Sequence, residues 1–189
     1  MTTPTDTREK ILSVARLMVQ AHGYNALSFR EIGKVVGVSS AAIHHHFATK
    51  GELGAALAQR YTDEAEKCFG DFSEASEDLS VCLRNYTNVF RAALENDNRM
   101  CLCGIMSAER DDLPAEVRAE VDRFTEVNVA WLTQLLSRHN PKAGVEVAQR
   151  HAYAIFSAIE GAQLVSRGRG DISVFDNTVE AYRATGLLL

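Results

Sequence analysis

The residues best equipped for chemistry fall into four groups. His44, His45 and His46 stand in a row. Imidazoles ligate metals, but consecutive helical residues point about 100° apart, so these three cannot converge on one ion. No metal site is expected, and the histidines read as surface and core groups of a short helix. The thiols are Cys68, Cys82, Cys101 and Cys103. They show neither zinc-site spacing nor the density of a disulfide scaffold. A redox or electrophile sensor at Cys101 or Cys103 would need a lowered thiol pKa, for which nearby Arg99 is a hint. Inert buried thiols are the plainer reading. Asn128, Glu160 and Gln163 fall on otherwise apolar helix faces, where an unpaired polar group is costly. They are expected to be ligand handles or hydrogen bonds of a dimer interface. Tyr86, Phe90, Met106, Phe124, Trp131, Tyr153 and Phe156 are the residue types that line pockets between bundle helices, and equally those of an ordinary core. The candidate ligand set is Tyr86, Phe90, Met106, Asn128, Trp131, Tyr153, Phe156 and Glu160. His-Glu-x-x-His, Glu-x-x-His, glycine-rich phosphate loops and Gly-x-Ser-x-Gly are all missing from the sequence. No catalytic residue and no cofactor are therefore expected, and the chain does not read as an enzyme.

These groups must be positioned by helices. Strand-like alternation is absent, and the three prolines, Pro4, Pro114 and Pro141, leave long uninterrupted stretches. The expected fold is all-α, with about nine helices. The first is predicted from about Asp6, in a capping box with Glu9, to Ala21, closed by Gly23. The second starts at Ser28, in a capping box with Glu31, turns Ile32, Val35 and Val36 inward and ends at Gly37. The third is capped by Ser39 and reaches His46. The fourth opens on the Thr49–Glu52 box and continues to about Phe69. The later helices are expected over about 75–95, 100–110, 114–138, 144–167 and 171–186. The eighth is apolar almost all round from Ala152 to Val165, so one side must be covered, in a chain this small by a second copy.

The 189 residues suit one compact domain or two small ones sharing a core. With 46% hydrophobic and 24% charged residues the chain is not disordered or fibrous. No apolar run approaches a membrane span, and the polar start lacks the core of a signal peptide, so a cytoplasmic location without membrane contact is expected. The net charge is −5, but it is uneven. Residues 1–60 carry seven basic and four acidic groups, and the rest 13 and 21. A basic head on an acidic body permits a nucleic-acid contact through the head alone.

Residues 28–47 give that head a form. A short helix, the turn Gly37-Val38-Ser39 and a second short helix make a helix-turn-helix pattern, whose second helix enters the major groove. The small side chains of Ser40, Ala41 and Ala42 let that helix approach closely, while Ile43 and Phe47 point to the core. With Ile11-Leu-Ser-Val-Ala-Arg-Leu17, Gly23-Tyr24, Ser28-Phe-Arg-Glu-Ile32, Gly37-Val-Ser-Ser40, His46-Phe47 and Lys50-Gly-Glu-Leu53 in place, the chain resembles the DNA-binding head of the tetracycline-repressor (TetR/AcrR-type) family over about residues 7–55.

The resemblance implies a homodimeric regulator, a repressor released from a palindromic DNA operator by a small apolar or aromatic effector. Its helix-turn-helix head would be residues 1–50, linked by the fourth helix (50–69) to an effector-binding and dimerising bundle, residues 55–189. Dimerisation would use the eighth and ninth helices. By resemblance, Ser28 offers its backbone N–H to a phosphate; Arg30 reaches a phosphate or base edge; Ser39, Ser40, Ala41 and His45 face the groove; and Lys50 clamps a phosphate. His44 stands where the family commonly has tyrosine, and a phosphate contact through histidine would depend on pH. Two alternatives remain at this point. One is a regulator that senses oxidation through Cys101 or Cys103. The other is a helical ligand-binding or enzymatic bundle that does not bind DNA.

Overall fold

The computed structural model describes residues 4–189. Nine α-helices and three 3-10 turns make up its regular structure, with no strand among the described residues. The helices are α1 (Pro4–His22), α2 (Phe29–Val36), α3 (Ser40–His46), α4 (Lys50–Ala75), α5 (Leu79–Glu95), α6 (Leu102–Ala108), α7 (Ala115–His139), α8 (Val145–Arg169) and α9 (Ile172–Ala184). Helix α1 begins at Pro4, so Asp6 lies inside it and bonds Lys10 one turn on, at 3.0 Å, instead of capping. Helix α4 runs past Phe69 to Ala75, because exposed Gly70 sits in a helix whose next turn still packs Phe72 against Trp131. Helix α5 starts later than expected, where the Asp78 carboxylate accepts from the N–H groups of Ser80 and Val81. Helix α6 is shorter than expected and is followed by a 3-10 turn, Arg110–Asp112.

Two compact units emerge. The first takes the chain up to Thr62 together with Leu102–Phe124. Its core gathers Ile11, Leu12, Ala15 and Val19 of α1 with Ile32, Ile43, Phe47 and Leu53, and adds Leu102, Met106, Val117 and Val121 from α6 and α7, all buried. The second takes Asp63–Cys101 and Thr125–Leu189. There α5 packs against α8 and α9, and α8 against α9. The core joins Leu83, Tyr86 and Phe90 to Leu132, Ile155, Ile159 and Phe175. Phe69, Tyr86 and Trp131 stack, with ring centroids 4.9 Å apart for Phe69–Trp131 and 5.5 Å for Tyr86–Trp131. Such pairs are worth about 0.5–1.5 kcal/mol beyond their burial. No helix of the described residues is long and apolar enough to cross a membrane.

Candidate DNA-binding interface and effector site

The first unit presents α3 on a rigid base. Helix α2 is capped by the Ser28 hydroxyl, which accepts from the Glu31 N–H, and α3 by the Ser39 hydroxyl, which accepts from the Ala42 N–H at 3.2 Å. Between them Gly37 adopts a left-handed conformation, φ 80°, that a side chain would strain. The turn is tight, since the N–H groups of Gly37 and Val38 both bond the Gly33 carbonyl. A Cβ on Gly33 would lie 2.6 Å from the Val38 carbonyl oxygen, so only glycine lets the turn close this far. Ile43 and Phe47 anchor α3 in the core, as expected. Val35 does not face inward: it is 69% exposed, and the inner face of α2 is made by Ile32 and Gly33.

Outside this base lie the residues expected to meet DNA. Ser39, Ala41, His44 and His45 are exposed, and Ser40 is half-buried. Arg30 is exposed and pairs with Glu31, which Lys34 also holds; the two cations keep the Glu31 carboxylate ionised below its ordinary range. His44 is tied down on one side. Its Nδ1 is 3.2 Å from the Ala48 carbonyl oxygen, and its ring meets the edge of Phe29 at 4.6 Å. Lys50 turns inward. Its ammonium donates to the Asn25 carbonyl at 3.0 Å and sits 4.6 Å over the Tyr24 ring. Partial burial lowers its pKa, an effect that the charge of Glu109 opposes. Lys50 therefore steadies the turn before α2 instead of standing free toward a phosphate.

That turn is also gripped by the connection between α6 and α7. Glu109 accepts from the Tyr24 N–H at 2.5 Å, and Asp112 accepts from the Asn25 side-chain amide at 2.8 Å. The Glu109 carboxylate fills the place of a Cβ at Gly23, which would lie 2.6 Å from Oε1. No local signal in the sequence announces these pairs, because 85 or more residues separate the partners.

The expected effector residues divide. Met106 is fully buried in the first unit, and so is Phe124, whose ring lies 5.4 Å from Tyr61. Tyr153 is 48% exposed on α8 and lines no interior site. Tyr86, Phe90, Asn128, Trp131, Phe156 and Glu160 all belong to the second unit. Tyr86 donates its hydroxyl to Asn128 Oδ1 at 3.0 Å. Burial, and after it the nearby charge of Glu160, push the Tyr86 phenol well above its ordinary pKa. The Trp131 indole N–H donates to Ser73 at 2.9 Å. Gln163 is a structural bridge: its Oε1 accepts from the Cys101 N–H at 2.9 Å and its Nε2 donates to the Phe90 carbonyl at 2.7 Å. It is neither a ligand handle nor an interface group. Glu160 differs. Both its carboxylate oxygens are sealed from solvent without a hydrogen-bond acceptor role toward any described nitrogen or oxygen donor. Burial raises its pKa to about 7, a rise that the Cys101 thiol beside it partly offsets. Two open grooves of this unit lie elsewhere: one of about 570 Å³ near Ser73, Leu79 and Arg138, and one of about 340 Å³ along Arg84, Arg91 and Arg183.

The thiols give no support to redox sensing. Cys101 and Cys103 are each 1% exposed, and burial raises the pKa of Cys68 and Cys82. No group of three potential metal ligands occurs among the described residues.

Comparison with known proteins places this geometry. The sequence model for bacterial regulatory proteins of the tetR family matches residues 11–57, the span from α1 through the first turns of α4. The HTH-type transcriptional repressor AcnR of Corynebacterium glutamicum is 41% identical over 56 residues. That match spans about 30% of either chain, so the likeness to this relative is confined to the head. The solved structures of a TetR transcriptional regulator from Legionella pneumophila and a TetR-family regulator from Agrobacterium tumefaciens each superpose with a TM-score of 0.88 at 29% identity. Each covers 95% of this chain and 96% of its own. The head is thus matched in sequence by the tetR-family model over residues 11–57, and nearly the whole chain shares the fold of solved TetR-family regulators.

Proposed function

We propose that this protein is a sequence-specific DNA-binding repressor that acts as a homodimer and releases its operator when a small effector binds. The observation that carries the reading is α3, whose outer face is small or polar and exposed while Ile43 and Phe47 fix its inner face in the core. The head, residues 1–50, reads DNA: Ser39, Ser40, Ala41 and His45 face base edges, the Ser28 N–H, Arg30 and His44 hold phosphates, and Lys50 orders the turn that sets the start of α2. The seven basic groups against four acidic ones in residues 1–60 support this in a chain of net charge −5. Helix α4 carries the signal to the bundle, residues 55–189, where Tyr86, Phe90, Asn128, Trp131, Phe156 and Glu160 form the effector site. A regulator of this kind works in the cytoplasm, where the DNA is.

Dimerisation is supported by α8. Tyr153, Ser157, Gly161, Leu164, Val165 and Gly168 recur at helical spacing, and all are exposed. They form one stripe of large apolar side chains interleaved with small ones, which suits close packing against the same stripe of a second copy. Two heads must reach major grooves about 34–36 Å apart, so a dimer is the form that reads a palindrome.

The test is binding to labelled duplex from directly upstream of the protein's own gene, against a scrambled duplex, across a salt series. Tight binding to the native duplex in steps of one dimer is expected. Equal, weak and salt-sensitive binding to both would remove the reader function from the head.

A further inference from the structure

We infer that the effector site takes a compact organic cation, an ammonium group on an apolar or aromatic body, with Glu160 as its counter-ion. This rests on the effector-regulated reading above and narrows it to a ligand class. An ionised carboxylate inside a protein needs donors or a positive charge. The donors around Glu160 are already committed. Tyr86, close enough for its phenol to feel the Glu160 charge, gives its hydroxyl to Asn128. One helical turn along α8, Gln163 gives its amide to the Phe90 carbonyl and its oxygen to the Cys101 N–H. The Cys101 thiol, a weak donor, is the polar group left at the carboxyl. Both Glu160 oxygens are buried, and no Lys, Arg or His of the described residues contributes to its environment. What the cluster lacks is a positively charged donor.

The surroundings of Tyr86 are aromatic. Its ring contacts those of Phe69 and Trp131 at 5.5 Å each and the edge of Phe90 at 5.2 Å. Aromatic faces attract cations through their quadrupole, most strongly where water is excluded. A neutral apolar ligand would use these rings and leave the carboxyl unanswered. An anion would be repelled by it.

Protonation gives the cation an identifiable signature. In the free protein Glu160 holds its proton up to about pH 7. Tyr86 and the Cys101 thiol are the titratable groups facing it, and Tyr86 is neutral in this range because its pKa is raised. Bound cation favours the ionised carboxylate, so binding releases a proton from Glu160 to the buffer and strengthens as pH rises through 7.

The experiment is calorimetric titration of the full-length protein, without DNA, with 2-phenylethylammonium and its neutral isostere 2-phenylethanol at pH 6 and pH 8. The cation is expected to bind roughly tenfold more tightly at pH 8 than at pH 6, while the alcohol is indifferent to pH. Glu160→Gln, which keeps the shape of the side chain, should remove the preference for the cation and leave the alcohol unchanged. Equal or tighter binding of the alcohol, a cation affinity unmoved by E160Q, or no saturable cation binding at millimolar concentration each overturns the inference. Because DNA is absent, a protein that binds the cation but no operator keeps this inference and loses the regulator reading. A protein that binds its operator but ignores the cation does the reverse.

Discussion

One hydrogen bond decides what His44 can offer to DNA. The Ala48 carbonyl can only accept, so the ring nitrogen 3.2 Å from it, Nδ1, must carry the proton. In the neutral ring, Nε2 then presents a lone pair, which a phosphate oxygen repels. Only the imidazolium has a second N–H to donate, and it adds a positive charge. His44→Phe, which keeps a ring against Phe29 and has nothing to donate, should therefore weaken operator binding by about five- to tenfold, as befits the loss of a hydrogen bond from a charged donor. Anisotropy titrations of both proteins at fixed salt and pH decide the matter, and equal affinities would remove His44 from the phosphate contact. The sequence showed that a histidine stood at a phosphate position. It could not show which nitrogen remained available, because that depends on a carbonyl four residues away at the end of α3. Glu160 is a parallel case. Its place on an apolar face was legible, but the commitment of the neighbouring Tyr86 and Gln163 donors elsewhere was not.

Elements were legible where a local signal sets them. Glycine at Gly37 and serine at Ser28 and Ser39 end and begin helices through their own backbone and hydroxyl groups, and the structure has them in those roles. Local pattern misleads where a neighbouring residue without an apolar or capping signature takes the role. Asp6 and Glu9 match a capping box, yet α1 already begins at Pro4, two residues earlier. Val35 stands three residues from Ile32, but α2 has eight residues and its inner face is completed by Gly33, which carries no apolar signature. The grip of α7 on the start of α4 is likewise invisible to local pattern, and it yields a contrast between two glycines. A Cβ at Gly54 would lie 2.6 Å from the Tyr24 ring and 3.1 Å from Val117, both buried and unable to move aside. A Cβ at Gly51 would lie 2.2 Å from Glu116 Oε1, the far end of a flexible, exposed side chain. Gly54→Ala should cost about 1–3 kcal/mol through overpacking. Gly51→Ala should be near neutral, since Glu116 swings away and alanine favours the helix by up to about 1 kcal/mol. Urea unfolding of the two variants tests this, and equal losses would show that the α4–α7 contact does not discriminate between them.

At the scale of the whole molecule, the sequence pointed to a second copy through an inconsistency: α8 is apolar nearly all round in a chain too small to cover it. The structure divides that helix. Ala152, Ile155 and Ile159 enter the core, while Tyr153, Leu164 and Val165 stay outside, the last two 58% and 56% exposed. Gly161, between them on the same stripe, has nothing within 4 Å of where a Cβ would stand, so it is not required by packing within the chain. A small residue there is explained if another helix approaches closely. A charge at the centre of the stripe should then be tolerated by the fold and rejected by the dimer. Leu164→Asp is expected to keep the helical spectrum and thermal transition of a folded chain, because its site is solvent-exposed in the single chain. It should shift the protein to monomer in sedimentation velocity. It should also lose most of its affinity for a palindromic duplex while keeping the weak affinity for a half-site, since each head still folds but the two no longer bind as one unit. A Leu164→Asp protein that sediments as a dimer would place the dimer contact on another surface and leave the stripe without a role.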